Sequence, residues 1–216
     1  MQQNDLAYYS ARAREYEQIY FRPERQSELR VLRDVIPALF SDLPVLEIAC
    51  GTGYWTQYLA NLARSICATD LSPEVLEVAR SKGLDSDRVR FLIADAMALP
   101  PELGTFEAAF CGFWWSHIPR AAIPEFLSSL HGHLVPGAKV VLLDNLYVED
   151  SSTAISRKSE AGDTYQLRRL HDGSTHEVLK NFSTEQELRN QIGARARHLR
   201  HISLQHYWYA EYQVAA

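Results

Sequence analysis

"VLEIACGTGYWT", residues 45–56, decides the fold. An apolar run leads directly into Gly51 and Gly53, and a helix-forming segment, YWTQYLANLA (54–63), follows. Glycines at the end of a first strand let the backbone approach a ligand closely. In a parallel α/β sheet, ligands bind outside the carboxyl ends of the strands. Three details sharpen the reading. Glu47 sits inside the apolar run, where an unpaired carboxylate is costly. Counting from Gly51, the third glycine of a dinucleotide fingerprint is replaced by Thr56. Tyr54 and Trp55 fill the turn that a pyrophosphate needs empty. The stretch therefore disfavours a phosphate cradle and favours a smaller cationic or zwitterionic ligand.

Downstream, strands and helices alternate. PVLEIAC (44–50), SICATD (65–70), VRFLIAD (89–95), FEAAFCGF (106–113) and AKVVLLDN (138–145) read as strands. Between them SPEVLEVARSKG (72–83) reads as a helix, with Ser72 as N-cap, Pro73 at the first helical position and Gly83 as stop. IPEFLSSLHGHL (123–134) reads as a helix ending before Pro-Gly. This alternation predicts an α/β, doubly wound, mostly parallel sheet covered on both faces. Upstream, Tyr9, Ala13, Tyr16 and Tyr20 share one face of a helix over 5–20. A second helix is expected from about Pro23 to Phe40. In the last third, residues 146–162 read as a loop. TYQLRRL and THEVLKNF around HDGS read as a β-hairpin. STEQELRNQIG (183–193) starts like a capping-box helix, and HLRHISLQHYWYAEYQV supplies two closing strands. Nothing between 146 and 216 reads as a linker, so a single domain over 1–216 is expected, with parts at 1–40, 44–145, 146–182 and 183–216.

Composition narrows the function classes. The 216 residues are 46% hydrophobic and 23% charged, which is globular. A net charge of −5 gives no nucleic-acid footprint, and RARHLRH (195–201) reads as a solvated helix end and strand. Cys50, Cys67 and Cys111 have neither CxxC nor Cys/His ligand spacing, so no metal site and no disulfide framework is expected. The polar start of the chain has no signal-peptide apolar region, and no run reaches 18 apolar residues. A cytoplasmic protein without membrane or nucleic-acid partners, monomer or homodimer, is expected.

The strand tips carry the chemistry. Asp70 lies 17 residues past Gly53, at the end of the second strand, where it can accept both hydroxyls of a ribose. Asp95 ends the third strand, within reach of an adenine amino group. FCGFWWSHIPR (110–120) places Phe113, Trp114 and Trp115 beside His117. Those rings read either as core or as a pocket floor with a proton acceptor at its edge.

Together these segments resemble the class I S-adenosylmethionine-dependent methyltransferases of small-molecule type. LEIACGTG, ATDLSPEVLEVAR, FLIADAMALP, FEAAFCGFWWSHIP and HLVPGAKVVLLDN match the family's successive motifs over about 44–145. The resemblance implies a seven-stranded sheet with an antiparallel last strand, an N-terminal helical lid and an inserted β-hairpin. It implies S-adenosylmethionine as cofactor, S-adenosylhomocysteine as product, and a small-molecule methyl acceptor. Glu47 would anchor the methionine end, partly through water, and Ala49, Gly51 and Gly53 would bring backbone to the cofactor. Asp70 would bind the ribose and Leu71 would lie on the adenine. Asp95 and the Ala96 amide would read the adenine edge. Phe113 would floor the methyl, with Tyr16 and Tyr20 closing over the cofactor. His117 would be catalytic. Tyr9, Trp114, Asn145 and Arg168 would line the acceptor pocket. The rivals are a nicotinamide oxidoreductase, a nucleic-acid methyltransferase and a non-catalytic cofactor-binding protein. The absent third glycine weighs against the first. GFWWSHIP, in place of an Asn/Asp-Pro-Pro-aromatic segment, weighs against the second.

Overall fold

The computed structural model describes residues 16–170 and 172–215; the side chain of Tyr16, like Tyr9 and Ala13, lies outside the described residues. In chain order the strands are β1 (Pro44–Ile48), β2 (Ser65–Asp70), β3 (Val89–Ile93), β4 (Phe106–Gly112), β5 (Leu134–Asn145), β6 (Ile155–Lys158), β7 (Thr164–Arg169), β8 (Thr175–Leu179), β9 (Ala196–Ser203) and β10 (Tyr207–Val214). The helices are α1 (Gln26–Ala38), α2 (Tyr54–Leu59), α3 (Pro73–Ser81), α4 (Ile123–His131) and α5 (Glu185–Ile192).

Seven strands form the main sheet in the order β3-β2-β1-β4-β5-β10-β9. The β1–β2, β1–β4, β2–β3 and β4–β5 pairs are parallel, and β10 runs antiparallel to β5. Parallel strands are covered on both faces, which is why β1 and β4 read as continuous apolar runs. Val45, Leu46, Ala108, Ala109 and Phe110 are fully buried, and the apolar side chains divide into two clusters, one per face. The strand order reverses at β1, between β2 and β4, and there the carboxyl ends open a crevice.

Local signals set the helix limits. Ser72 Oγ accepts the Val75 amide at 3.4 Å, Pro73 opens α3, and Gly83 stops the chain at φ +65°. Thr184 and Glu187 form a reciprocal capping box on α5. Four expectations need correction. The described end of the 5–20 helix, Tyr16–Phe21, is a short 3-10 helix rather than α-helix. Arg22 precedes Pro23, which disfavours helical backbone, and is extended at φ −63°, ψ 122°. α2 ends at Leu59 rather than 63. α4 ends at His131, and β5 begins at Leu134 and runs across Pro136–Gly137. A register shift against β4 leaves room there for a residue with no amide hydrogen. The 146–162 loop contains β6, which pairs with β7 and turns the expected β7–β8 hairpin into a three-stranded antiparallel sheet. Among the described residues no helix is long and apolar enough to cross a membrane.

Candidate functional site

Two cavities meet at the strand reversal. The first is a narrow cleft over the carboxyl ends of β1, β2 and β3. Its lining includes Ala49, Gly51, Asp70, Leu71, Asp95 and Ala96. The backbone there is unusual. Ala49 (φ +51°), Gly51 (+57°) and Gly53 (+74°) are left-handed in alternate positions after β1, and Phe113 (+60°) is left-handed after the neighbouring β4. Non-glycine residues rarely adopt this conformation, and held strain of this kind collects at functional sites. Asp70 braces the loop: Oδ2 accepts the Gly51 amide at 2.9 Å and Oδ1 the Ser72 amide at 3.0 Å. Burial raises its pKa, and those amide bonds oppose the rise. Asp95 Oδ1 accepts the Met97 amide at 2.9 Å, which fixes the turn under the cleft's far end.

Glu47 lies behind this loop, 1% exposed, and its Oε2 has no hydrogen-bond partner among the described residues. Burial, with Asp70 adding to it, pushes its carboxyl up to about 8. A buried polar atom without a partner costs free energy that a ligand can recover.

The second cavity, about 490 Å³, lies between the N-terminal turn, the end of β5 and the β7–β8 pair. Tyr20, Arg22, Arg25, Asn145, Arg168 and Lys180 are on its wall. Phe113 and His117 line both cavities. His117 ends a 3-10 turn, Trp115–His117, and its Nδ1 donates to the Leu179 carbonyl at 2.7 Å. A carbonyl only accepts, so Nδ1 carries the proton and Nε2 the lone pair. Burial, then the nearby Lys180 and Arg168 charges, hold the imidazole well below its ordinary pKa, so it is neutral at pH 7.

Behind His117 a buried polar cluster locks β8 to the main sheet. Asp144 accepts the Ser116 amide (2.9 Å), the Ser116 hydroxyl (2.9 Å) and the Lys180 ammonium (3.0 Å). Lys180 is 4% exposed and Asp144 1%.

Comparison with known proteins agrees with this geometry. Residues 45–137 match a family model described as a methyltransferase domain. A solved structure titled "DhpI-SAH complex structure" superposes with a TM-score of 0.81 at 28% identity, covering 98% of this chain and 96% of that one. The chain is similar to the class I S-adenosylmethionine-dependent methyltransferases, in sequence over the matched domain and in fold over nearly its whole length. A second structure, "DhpI-SAM-HEP complex", matches at the same TM-score of 0.81 and 28% identity, over 97% of this chain and 95% of that one. A demethylmenaquinone methyltransferase of Staphylococcus aureus is 30% identical over 129 residues, 58% of this chain and 52% of that protein. The chain thus spans about half the length of the curated relatives it matches.

Within this methyltransferase fold the residues expected from sequence separate into groups. Ala49, Gly51, Asp70, Leu71, Asp95, Ala96 and Phe113 share the cleft. Gly53 does not line it: a Cβ there would sit 3.1 Å from the Ala79 Cβ, so this glycine serves loop–helix packing. Tyr20 lines the larger cavity instead, stacked on Tyr54 at 3.5 Å between ring centroids. Asn145 and Arg168 line that larger cavity, whereas Trp114, which follows the left-handed Phe113, lines the cleft. Trp115 is core, 1% exposed, its indole donating to Ser183. Tyr9 and the Tyr16 side chain lie outside the described residues. Arg25, Lys180, Ser116 and Asp144 were missed. They come from four distant segments and form no spaced motif.

Proposed function

We propose that the chain transfers the methyl group of S-adenosylmethionine to a protonated oxygen of a small-molecule acceptor. The observation that carries this reading is the shared wall: Phe113 and His117 line both the Asp70–Asp95 cleft and the 490 Å³ cavity, so two ligands held there meet at those residues. Holding two reactants in register supplies about 7–11 kcal/mol of barrier lowering.

The residues fit the cofactor. Asp70 suits ribose hydroxyls, the Ala96 amide and Asp95 suit an adenine edge, and the orphaned Oε2 of buried Glu47 suits the ammonium of a methionine moiety. When bound, S-adenosylmethionine supplies an electrophilic methyl group on a sulfonium. The Phe113 ring offers a face that attracts cations. His117, neutral and held by Leu179, accepts the acceptor's proton at Nε2; positioned bases of this kind contribute about 10²- to 10⁴-fold. The small-molecule reading is supported by the 490 Å³ volume and by the names of the demethylmenaquinone relative and the DhpI complexes. Three buried free cysteines suit a reducing, cytoplasmic setting, and α5, β9 and β10 complete one methyltransferase unit with the core.

The test is incubation with methyl-labelled S-adenosylmethionine and a cell metabolite extract. Label entering a small-molecule fraction, lost with His117→Ala, supports the reading. Label confined to nucleic acid or protein overturns it.

A further inference from the structure

The charge on the larger cavity's wall is one-sided. Arg22, Arg25, Arg168, Arg169 and Lys180 line it, and among the described residues no aspartate or glutamate does. This occurs in a chain whose net charge is −5, so the wall runs against the overall balance. Arg25 is the most informative. It is 7% exposed, yet its guanidinium rests on neutral groups: Nη1 donates to Asn145 Oδ1 at 3.1 Å and Nη2 to Ser151 Oγ at 3.0 Å. Nη2 also donates to the Ser151 carbonyl at 3.3 Å, and the Tyr207 ring lies 5.6 Å away. Among the described residues no carboxylate lies within ion-pair distance of Arg25. Glu24 accepts from the Ser151 hydroxyl at 3.1 Å and interacts with Arg25 electrostatically without a direct ion pair, so the buried guanidinium is only partly balanced and a bound anion completes that balance. Lys180 is balanced from behind by Asp144 and faces the cavity as a donor.

We infer that the methyl acceptor is an oxyacid, a small molecule bearing a carboxylate or another oxyanion group, with its negative charge held by Arg25, Arg168 and Lys180. The inference rests on the assignment of this cavity to the acceptor. A guanidinium matches the two oxygens of such a group, and an ammonium adds a point charge beside it. Tyr20, Phe113, Phe182 and Tyr207 supply apolar wall for the rest of the molecule. A cationic acceptor meets no carboxylate among the described lining residues, and a neutral one leaves the buried guanidinium without a direct ion pair, so the wall also discriminates. The cofactor's own carboxylate needs one cation; the wall holds five.

The test uses the full chain saturated with S-adenosylhomocysteine, so that the cofactor's carboxylate is already in place. Binding of methylphosphonate, inorganic phosphate and benzoate is compared by calorimetry with dimethyl methylphosphonate and benzamide. At least one anion binds saturably, at least tenfold more tightly than its neutral counterpart, and Arg25→Gln removes the difference while leaving S-adenosylhomocysteine affinity within threefold. Arg168→Gln, on the half-buried face of β7, weakens the same anion and serves if the Arg25 variant melts early. The inference is overturned if S-adenosylhomocysteine binds but no anion does, if neutral compounds bind as well, or if both variants leave anion affinity unchanged. Failure to bind S-adenosylhomocysteine at all overturns the cofactor assignment itself.

Discussion

Glu47 makes the ligand-free protein pH-sensitive in a calculable way. Its carboxyl is raised from 4.5 to about 8, chiefly by burial. The sign follows from proton binding: between those values the unfolded chain has released a proton that the folded chain still holds. Stability from this group is therefore complete below about pH 4.5 and is lost as pH rises to about 8, at about 1.4 kcal/mol per pH unit. The total is about 5 kcal/mol, and Glu47→Gln should abolish that slope in urea titrations of the ligand-free chain. Binding carries the same signature. At pH 7 only about a tenth of the carboxyl is ionised, so an ammonium that requires the carboxylate displaces nearly one proton. Calorimetry of S-adenosylhomocysteine at pH 7, in buffers of different ionisation enthalpy, should show that release, with affinity rising about tenfold from pH 7 to above pH 8. Zero proton release in the wild type, or an identical release in Glu47→Gln, refutes the assignment of Glu47 to the methionine end.

Two further predictions follow from buried groups. His117→Ala should cut turnover at least a hundredfold while cofactor affinity stays within a few-fold. Because burial depresses this imidazole, the wild-type rate should stay flat as pH falls through 6.5 and drop only below it; a rate that halves near 6.5 excludes His117 as the base. Lys180→Met leaves Asp144 buried without its counter-charge, so unfolding free energy should fall by about 3–5 kcal/mol. Asp144→Leu combined with Lys180→Met should recover much of that loss, and a double variant no more stable than the single one contradicts the pairing.

The residues that could be read from sequence are those whose position in the chain fixes their position in space. Gly51, Asp70 and Asp95 follow strands β1, β2 and β3, and adjacent parallel strands bring their carboxyl ends to one edge, so the cleft was legible from spacing alone. Ser72, Pro73, Thr184 and Glu187 were legible because caps act over three residues. Arg25 meets Ser151 across 126 positions, and Lys180 meets Asp144 across 36; no periodicity encodes such pairings. β6 escaped because ISRK is four exposed residues with no apolar face to pattern. The left-handed turn at Phe113, after which Trp114 lines the cleft, was not legible in residue type: a bulky aromatic is the last residue expected at φ +60°.

The measurement that bears most directly on the account is the affinity of S-adenosylhomocysteine for the wild type, Asp70→Asn and Asp70→Ala, with NAD as the competing ligand and melting curves as the control for folding. Asp70 sits at the end of β2 with its oxygens braced by Gly51 and Ser72, and a charge-assisted ribose contact is worth about 1.5–3 kcal/mol. The account predicts one S-adenosylhomocysteine site per chain, roughly 10- to 150-fold weaker in Asp70→Ala, and no comparable NAD binding. Unchanged affinity in a folded Asp70→Ala protein, or preference for NAD over S-adenosylhomocysteine, would contradict it.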